Sequence, residues 1–317
     1  MKKVVVIGGG TGSYHVLKGL KKYDDIELTA IVNMSDDGGS TGRLRDEFGV
    51  LPPGDIRRCI VALSESTEMM KKLFQYRFDR GIAFKGHSFG NLLITALREI
   101  TGSDEKAIEE ACKLLSIKGK VLPVTLDNVR LCAELEDGQL IVGETNIDIP
   151  KHDGNLRIKR VFLSPRAKAY EKAIKAINEA DLIVIGPGDL YGSVVSNLIV
   201  DGIPEAIRNS KAKKVYICNL MTKFGETNNF KVHNFVEVIE EYLGKNVIDY
   251  VLYNKPIKDK KLLKKYAEEK SFPVVCDKEE LKKFKNIKFI EGNFVTKPIL
   301  ARHDPDKIAM EILKLLQ

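Results

Sequence analysis

The run VVVIGGGTGS, residues 4–13, leaves few folds open. Lys3–Ile7 is a short β-branched stretch of strand length. Gly8, Gly9, Gly10 and Gly12 follow at once, and Gly12–Lys22 then carries a helical pattern with Val16, Leu17 and Leu20 on one face. A buried strand turning through glycines into a helix is the repeating unit of a parallel α/β sheet. The unit recurs along the chain. Leu28–Val32, Leu182–Ile185, Val215–Cys218 and Val247–Leu252 read as strands. Helical patterns occupy 56–78, 91–100, 105–115, 167–178, 235–243 and 307–316. Such alternation predicts a Rossmann-like, doubly wound, mostly parallel sheet in one domain spanning residues 1–317. Leu131–Leu135 and Leu140–Val142, joined through Asp137-Gly138, predict a β-hairpin within an insertion or subdomain at about 120–160.

The bulk numbers fit that class and exclude others. The 317 residues are 44% hydrophobic and 30% charged, a balance that supports a sizeable core. The net charge of +7 is spread out, and its densest block, KDKKLLKK, reads as a solvated helix face with Leu262, Leu263 and Tyr266 turned inward. With no Trp and no basic motif interleaved with aromatics, a nucleic-acid partner is not expected. Five scattered cysteines without a CxxC pair predict neither a disulfide framework nor a zinc site. The opening apolar run is too short for a signal peptide, and no stretch reaches membrane-span length, so a cytoplasmic protein without membrane insertion is expected.

Chemistry concentrates in three places. The glycine turn at Gly9–Gly12 sits before a helix whose free N–H groups suit a phosphate. A second such junction, IGPGDLYGS, offers Gly188 and Asp189, with Ser193 placed to cap the next helix. Between them in interest lies NMSDDGGSTGRLR, residues 33–45, whose Asp36, Asp37, Ser40, Thr41, Arg43 and Arg45 suit no apolar core. Two glycine-rich turns on one rim point to a diphosphate. Carboxylates beside it call for Mg²⁺ at Asp36 and Asp37 or for contact with sugar hydroxyls, whereas Arg43 and Arg45 can neutralise phosphate directly. In PPGDIRRC, Asp55 either caps a helix or meets the ligand, with Arg57 or Arg58 in the same first turn. NLMTKFGET adds Asn219 and Thr222 after a strand, and ARHDP adds Arg302, His303 and Asp304.

Two familiar chemistries fit less well. A dinucleotide enzyme wants an acidic residue at the end of the second strand, where this chain has Asn33, and Ser13 replaces the third glycine of the fingerprint. GHSFG matches a hydrolase nucleophile elbow around Ser88, yet no strong strand precedes it. A helix starting at Ser88, with Asn91 in its first turn, reads better.

Taken in order, IGGGTG, NMSDDGGSTGRLR, PPGDIRRC, GHSFGNL, IGPGDLYGS and NLMTKFGET resemble the gluconeogenesis factor family over almost the whole chain. That family is a branch of the CofD-like superfamily named for 2-phospho-L-lactate transferase. The resemblance implies a Rossmann-like core holding a nucleotide-diphospho compound. In the transferase branch a guanosine diphospho-lactate donates phospholactate to a deazaflavin with Mg²⁺. In the gluconeogenesis factor branch the ligands are UDP-sugars such as UDP-N-acetylglucosamine, and the role is in cell shape and peptidoglycan supply on gluconeogenic carbon. The continuation through GGSTGRLR and PPGDIR belongs to the second branch. By motif, the resemblance places nucleotide contacts at Gly9, Gly10, Thr11, Asn33, Asp36, Asp37, Ser40, Thr41, Asn91, Gly188, Asp189 and Ser193. Asp36 and Asp37 are the catalytic and metal candidates if a phospho-group transfer occurs. A cell-wall enzyme partner and a homo-oligomer are both compatible with the family.

Overall fold

The computed structural model describes residues 1–296 and 300–316. Seven strands form one parallel sheet: β1 (Lys2–Gly8), β2 (Ile26–Val32), β3 (Lys120–Pro123), then β7 (Leu182–Ile185), β8 (Lys213–Ile217), β9 (Tyr250–Asn254) and β10 (Lys288–Gly292). Three more, β4 (Arg130–Leu135), β5 (Leu140–Val142) and β6 (Ile158–Ser164), make a small antiparallel sheet. The large sheet runs β10-β9-β8-β7-β1-β2-β3. β1 therefore lies between β2 and β7, each reached by a crossover in the opposite direction along the sheet. A crevice opens outside the carboxyl ends of β1 and β7 at this reversal, as doubly wound sheets require.

Burial explains the strand composition. Val4, Val5, Val6 and Ile7 are all but sealed, as are Leu182–Ile185 beside them, because helices cover both faces. The helices before the small sheet are α1 (Gly10–Leu20), α2 (Gly39–Phe48), α3 (Pro53–Leu63), α4 (Glu68–Gln75), α5 (Phe89–Thr101) and α6 (Asp104–Leu114). α7 (Glu144–Asp148) belongs to the small sheet's connections, and α8 (Glu171–Asn178) leads back to β7.

Several expected boundaries move. The helix expected over 56–78 is two helices. Ser64 is extended and its Oγ donates to Leu115 O at 2.8 Å, while the Thr67 side chain caps α4 by accepting from Met70 N. The polar loop 33–45 is half helix, since α2 starts at Gly39 directly after a glycine in extended backbone. The insertion does not begin at 120, because β3 pairs with β2 as an edge of the main sheet; the small sheet spans 130–164 and gains β6. Ser193 is not a cap. It lies inside a π-helical turn over Leu190–Val195 with Asp189 at its start. β9 begins three residues later than the β-branched run suggests, and β10 and the helix Ile203–Asn209 lacked a clear sequence signal.

Candidate functional site

The two glycine turns meet at the crevice. Gly186 N donates to Ile7 O at 2.9 Å, and a Cβ on Gly12 would lie 2.0 Å from Pro187 O. Only glycine lets the start of α1 press against the turn after β7. Asn33, at the end of β2, completes the junction: its Nδ2 donates to Gly192 O at 3.0 Å and its Oδ1 accepts from Ser35 N and Oγ. Above these turns lies a cavity of about 560 Å³, a volume typical of small-molecule sites.

Of the residues singled out in the sequence, Gly9, Gly10, Thr11, Gly12, Asn33, Asp36, Asp55, Gly188, Asp189, Ser193, Asn219 and Arg302 line this cavity. The N-terminal ends of α1, α2 and the Leu190–Val195 turn all face it, through Gly9–Gly12, Gly38–Gly39 and Asp189–Ser193. Their partial positive charges favour an anion. Arg58 and Arg302 add two full ones.

The other candidates lie outside the cavity wall. Ser40 Oγ sits 3.1 Å from His87 Nδ1 and accepts from Ser88 N and Asn91 Nδ2, both at 3.3 Å. Asn91 Oδ1 accepts from Arg57 Nε at 2.8 Å. These five buried residues, with Thr41 against Gly54, pack α2, α3 and α5 together. Burial and neighbouring Arg58 and Arg77 draw the Arg57 guanidinium down to about 10. Arg43 donates to Lys85 O at 3.0 Å. Arg45, buried, donates to Asp36 O, Asn128 Oδ1 and Val129 O and so anchors the loop itself. Thr222 Oγ1 accepts from Phe272 N at 2.9 Å, tying two loops together.

Asp36 and Asp37 diverge. Asp36 faces the cavity and its Oδ1 accepts from Gly38 N at 2.9 Å. Asp37 turns toward the small sheet, where its Oδ1 accepts from Thr145 N at 2.8 Å and its Oδ2 lies 3.3 Å from Arg130 Nη1. Asp37's carboxylate is spent on a structural clamp, so the pair does not fit a shared Mg²⁺ chelate. Among the described residues, the carboxylates that converge are Asp148, Asp189 and Glu226, and Lys223 Nζ stands in their midst, paired with all three.

The cavity is electrostatically unusual. Asp55 is buried against the glycine turn, where a Cβ on Gly9 would come within 2.3 Å of its Oδ2. Burial and then Asp36 push its carboxyl up to about 6, against the pull of Arg58, 3.6 Å away, and of the Gly10 N–H. Glu144, from α7, is pushed up to about 8 by burial and by Asp36, Asp55, Glu226 and Asp37. Asp189 is raised in the same way, by burial and then by Glu226 and Asp55. On the far wall His303 is drawn down to about 4 by burial, and His15 downward by burial and by Arg302.

Sequence reasoning missed Arg58 as the cavity-facing arginine of its pair, and it missed Glu144, Thr145, Asp148 and His15 altogether. His303, legible only as a polar residue before a helix, is buried in the wall. Ser88 has no place in the cavity wall. Its Oγ is 3.5 Å from Phe74 O in a packed interior, which removes the nucleophile-elbow reading.

Comparison with known proteins agrees with this geometry. The family model for 2-phospho-L-lactate transferase CofD matches residues 4–295. The gluconeogenesis factor of Halalkalibacterium halodurans is 44% identical over 316 residues, covering 99% of this chain and 96% of the relative. That of Bacillus subtilis is 43% identical over 317 residues, covering 99% and 98%. A crystal structure of a UPF0052 family member from Bacillus halodurans superimposes with a TM-score of 0.93 at 43% identity, covering 99% of this chain and 100% of that one. With a matching model, matching full-length relatives and a matching fold, the chain belongs to the CofD-like family and, within it, to the gluconeogenesis factors.

Proposed function

We propose that the protein binds a nucleoside diphosphate-sugar of the UDP-N-acetylglucosamine or UDP-glucose type, and that it acts as a cytoplasmic regulatory protein serving cell shape and peptidoglycan supply during gluconeogenic growth. One observation carries the binding half: two glycine turns and three helix N-termini converge with Arg58 and Arg302 on one cavity at the switch point of the sheet. Backbone N–H groups and guanidinium forks are the donors a diphosphate needs. The regulatory half draws on the relatives, which are gluconeogenesis factors in name. A cell-wall enzyme is the kind of partner such a regulator addresses.

Thermal stabilisation tests the binding, since a ligand that prefers the folded state raises the melting temperature by mass action. The panel is UDP-N-acetylglucosamine, UDP-glucose, UDP, GDP and NAD, each with and without Mg²⁺. A shift with the UDP-sugars is expected. A shift confined to GDP with Mg²⁺ would favour the Mg²⁺-dependent phospho-transferase of the family instead, and no shift with any nucleoside diphosphate would refute the reading.

A further inference from the structure

The cavity has two chemically different halves. Its floor is made of glycine turns, helix N-termini and arginines, and the carboxylates among them, Asp36, Asp55 and Asp189, are each met by a donor of the protein, Gly38 N, Arg58 and Lys223. Its other side is closed by Glu144, Thr145, Asp148 and Ile149, all from α7 and the residue after it. That segment is held in place from the outside: Thr145 N donates to Asp37 Oδ1, and Asp148 pairs with Lys223. The side chains left facing inward are unspent. Glu144's carboxylate stands over the turn after β7, where a Cβ on Gly192 would lie 2.9 Å from its Oε1. It is surrounded by other carboxylates and has no hydrogen-bond or ion-pair partner among the described residues. Thr145 Oγ1 is buried without a hydrogen-bond partner among the described residues, close to Gly38.

A phosphate cannot be what this side recognises. Phosphate oxygens only accept hydrogen bonds, and the Asp36 and Glu226 carboxylates that crowd Glu144 repel them. A carboxylate beside an unpaired hydroxyl instead suits a neutral group rich in O–H or N–H donors. Resting on the nucleoside diphosphate-sugar reading above, we infer that Glu144 and Thr145 form the subsite for the hydroxyl-bearing moiety beyond the diphosphate, and that they set selectivity for the sugar conjugate over the bare diphosphate. The main-sheet turns hold the diphosphate, and the small sheet reads what is attached to it. Among the described residues Glu144 has no hydrogen-bond or ion-pair partner, so its replacement breaks no such bond there.

Calorimetric titration of the full chain with UDP and with UDP-glucose, each with and without Mg²⁺, tests the assignment. Wild type is expected to bind UDP-glucose more tightly than UDP. Glu144→Ala should weaken UDP-glucose about tenfold, the loss of roughly one hydrogen bond, while leaving UDP within about twofold. Thr145→Val, which keeps the shape and removes the hydroxyl, should move in the same direction by a smaller factor. Equal losses for both ligands, or no loss for either, would overturn the subsite. So would a loss seen only with Mg²⁺ present, which would make Glu144 a cation ligand. If wild type binds both ligands equally, the subsite fails and the diphosphate reading stands. If it binds neither, both fail.

Discussion

Glu144 carries a cost in the free protein that can be measured without any ligand. Its carboxyl moves from an ordinary 4.5 to about 8 because burial and four neighbouring carboxylates oppose its charge. Between those values the folded chain holds a proton that the unfolded chain has released. Stability contributed through this group must therefore fall as pH rises from about 4.5 to about 8, and stay level outside that window. At pH 7 the span crossed is about 2.5 units, or about 3 kcal/mol relative to a neutral isostere. Glu144→Gln keeps the shape and cannot ionise. In ligand-free buffer with a chelator, the variant and wild type should melt together near pH 4.5. The variant should lead by about 6 °C at pH 7, at roughly 2 °C per kcal/mol for a chain of this length. Scanning calorimetry from pH 4.5 to 8.5 reads the difference directly. A lead that does not grow with pH, or a variant less stable than wild type at pH 8, would refute the picture of an uncompensated carboxylate. A confirmed lead would mark Glu144 as a residue kept at the expense of stability, as binding sites commonly are.

Other perturbations separate ligand contacts from scaffolding. Gly12→Ala places a methyl 2.0 Å from Pro187 O, so the two turns must part; the change should cost about 1–3 kcal/mol in urea denaturation and abolish nucleotide-induced stabilisation. Asp37→Ala strands Thr145 N and loosens Arg130, and should lower stability by about 2 kcal/mol through the clamp on α7, read as a lower urea midpoint. Ser88→Ala should cost no more than about 1 kcal/mol and leave the UDP-sugar melting shift intact, since its Oγ makes a long 3.5 Å contact to Phe74 O. Arg58→Gln should weaken UDP and UDP-glucose alike by about tenfold in titration, and the loss should shrink as salt is raised.

The glycine turns were legible because their chemistry is local. A tight turn between a buried strand and a helix needs glycine at fixed offsets, whatever the rest of the chain does, and Gly12 against Pro187 shows why. The sheet was legible for a similar reason, since Val4–Ile7 and Leu182–Ile185 are buried on both faces and can carry no polar alternation. β10 was not, because KFIEG is half exposed at an edge and mixes charge with its apolar residues. α2 hid inside a loop because Gly38 and Gly39, which look like breakers, stand at its entrance, where their backbone freedom costs little.

The site divides along a different line. Ser40, Asn91 and Arg57 look in the sequence like ligand-binding residues, and they are buried in a network that joins three helices. Asp36 and Asp37 look like a pair, and one lines the cavity while the other holds the roof in place. A buried polar group needs partners whether they come from a ligand or from another helix, so residue type alone cannot tell the two apart. Glu144 shows the converse. In GETNID it reads as an ordinary acidic residue in a helix's first turn, and its role comes from contacts made across the chain, Asp37 to Thr145 and Lys223 to Asp148, that set α7 over the glycine turns. Such placement is a property of docking between the small sheet and the large one. The glycine-turn half of the cavity is written in local turn chemistry. The other half depends on which side chains of α7 face inward.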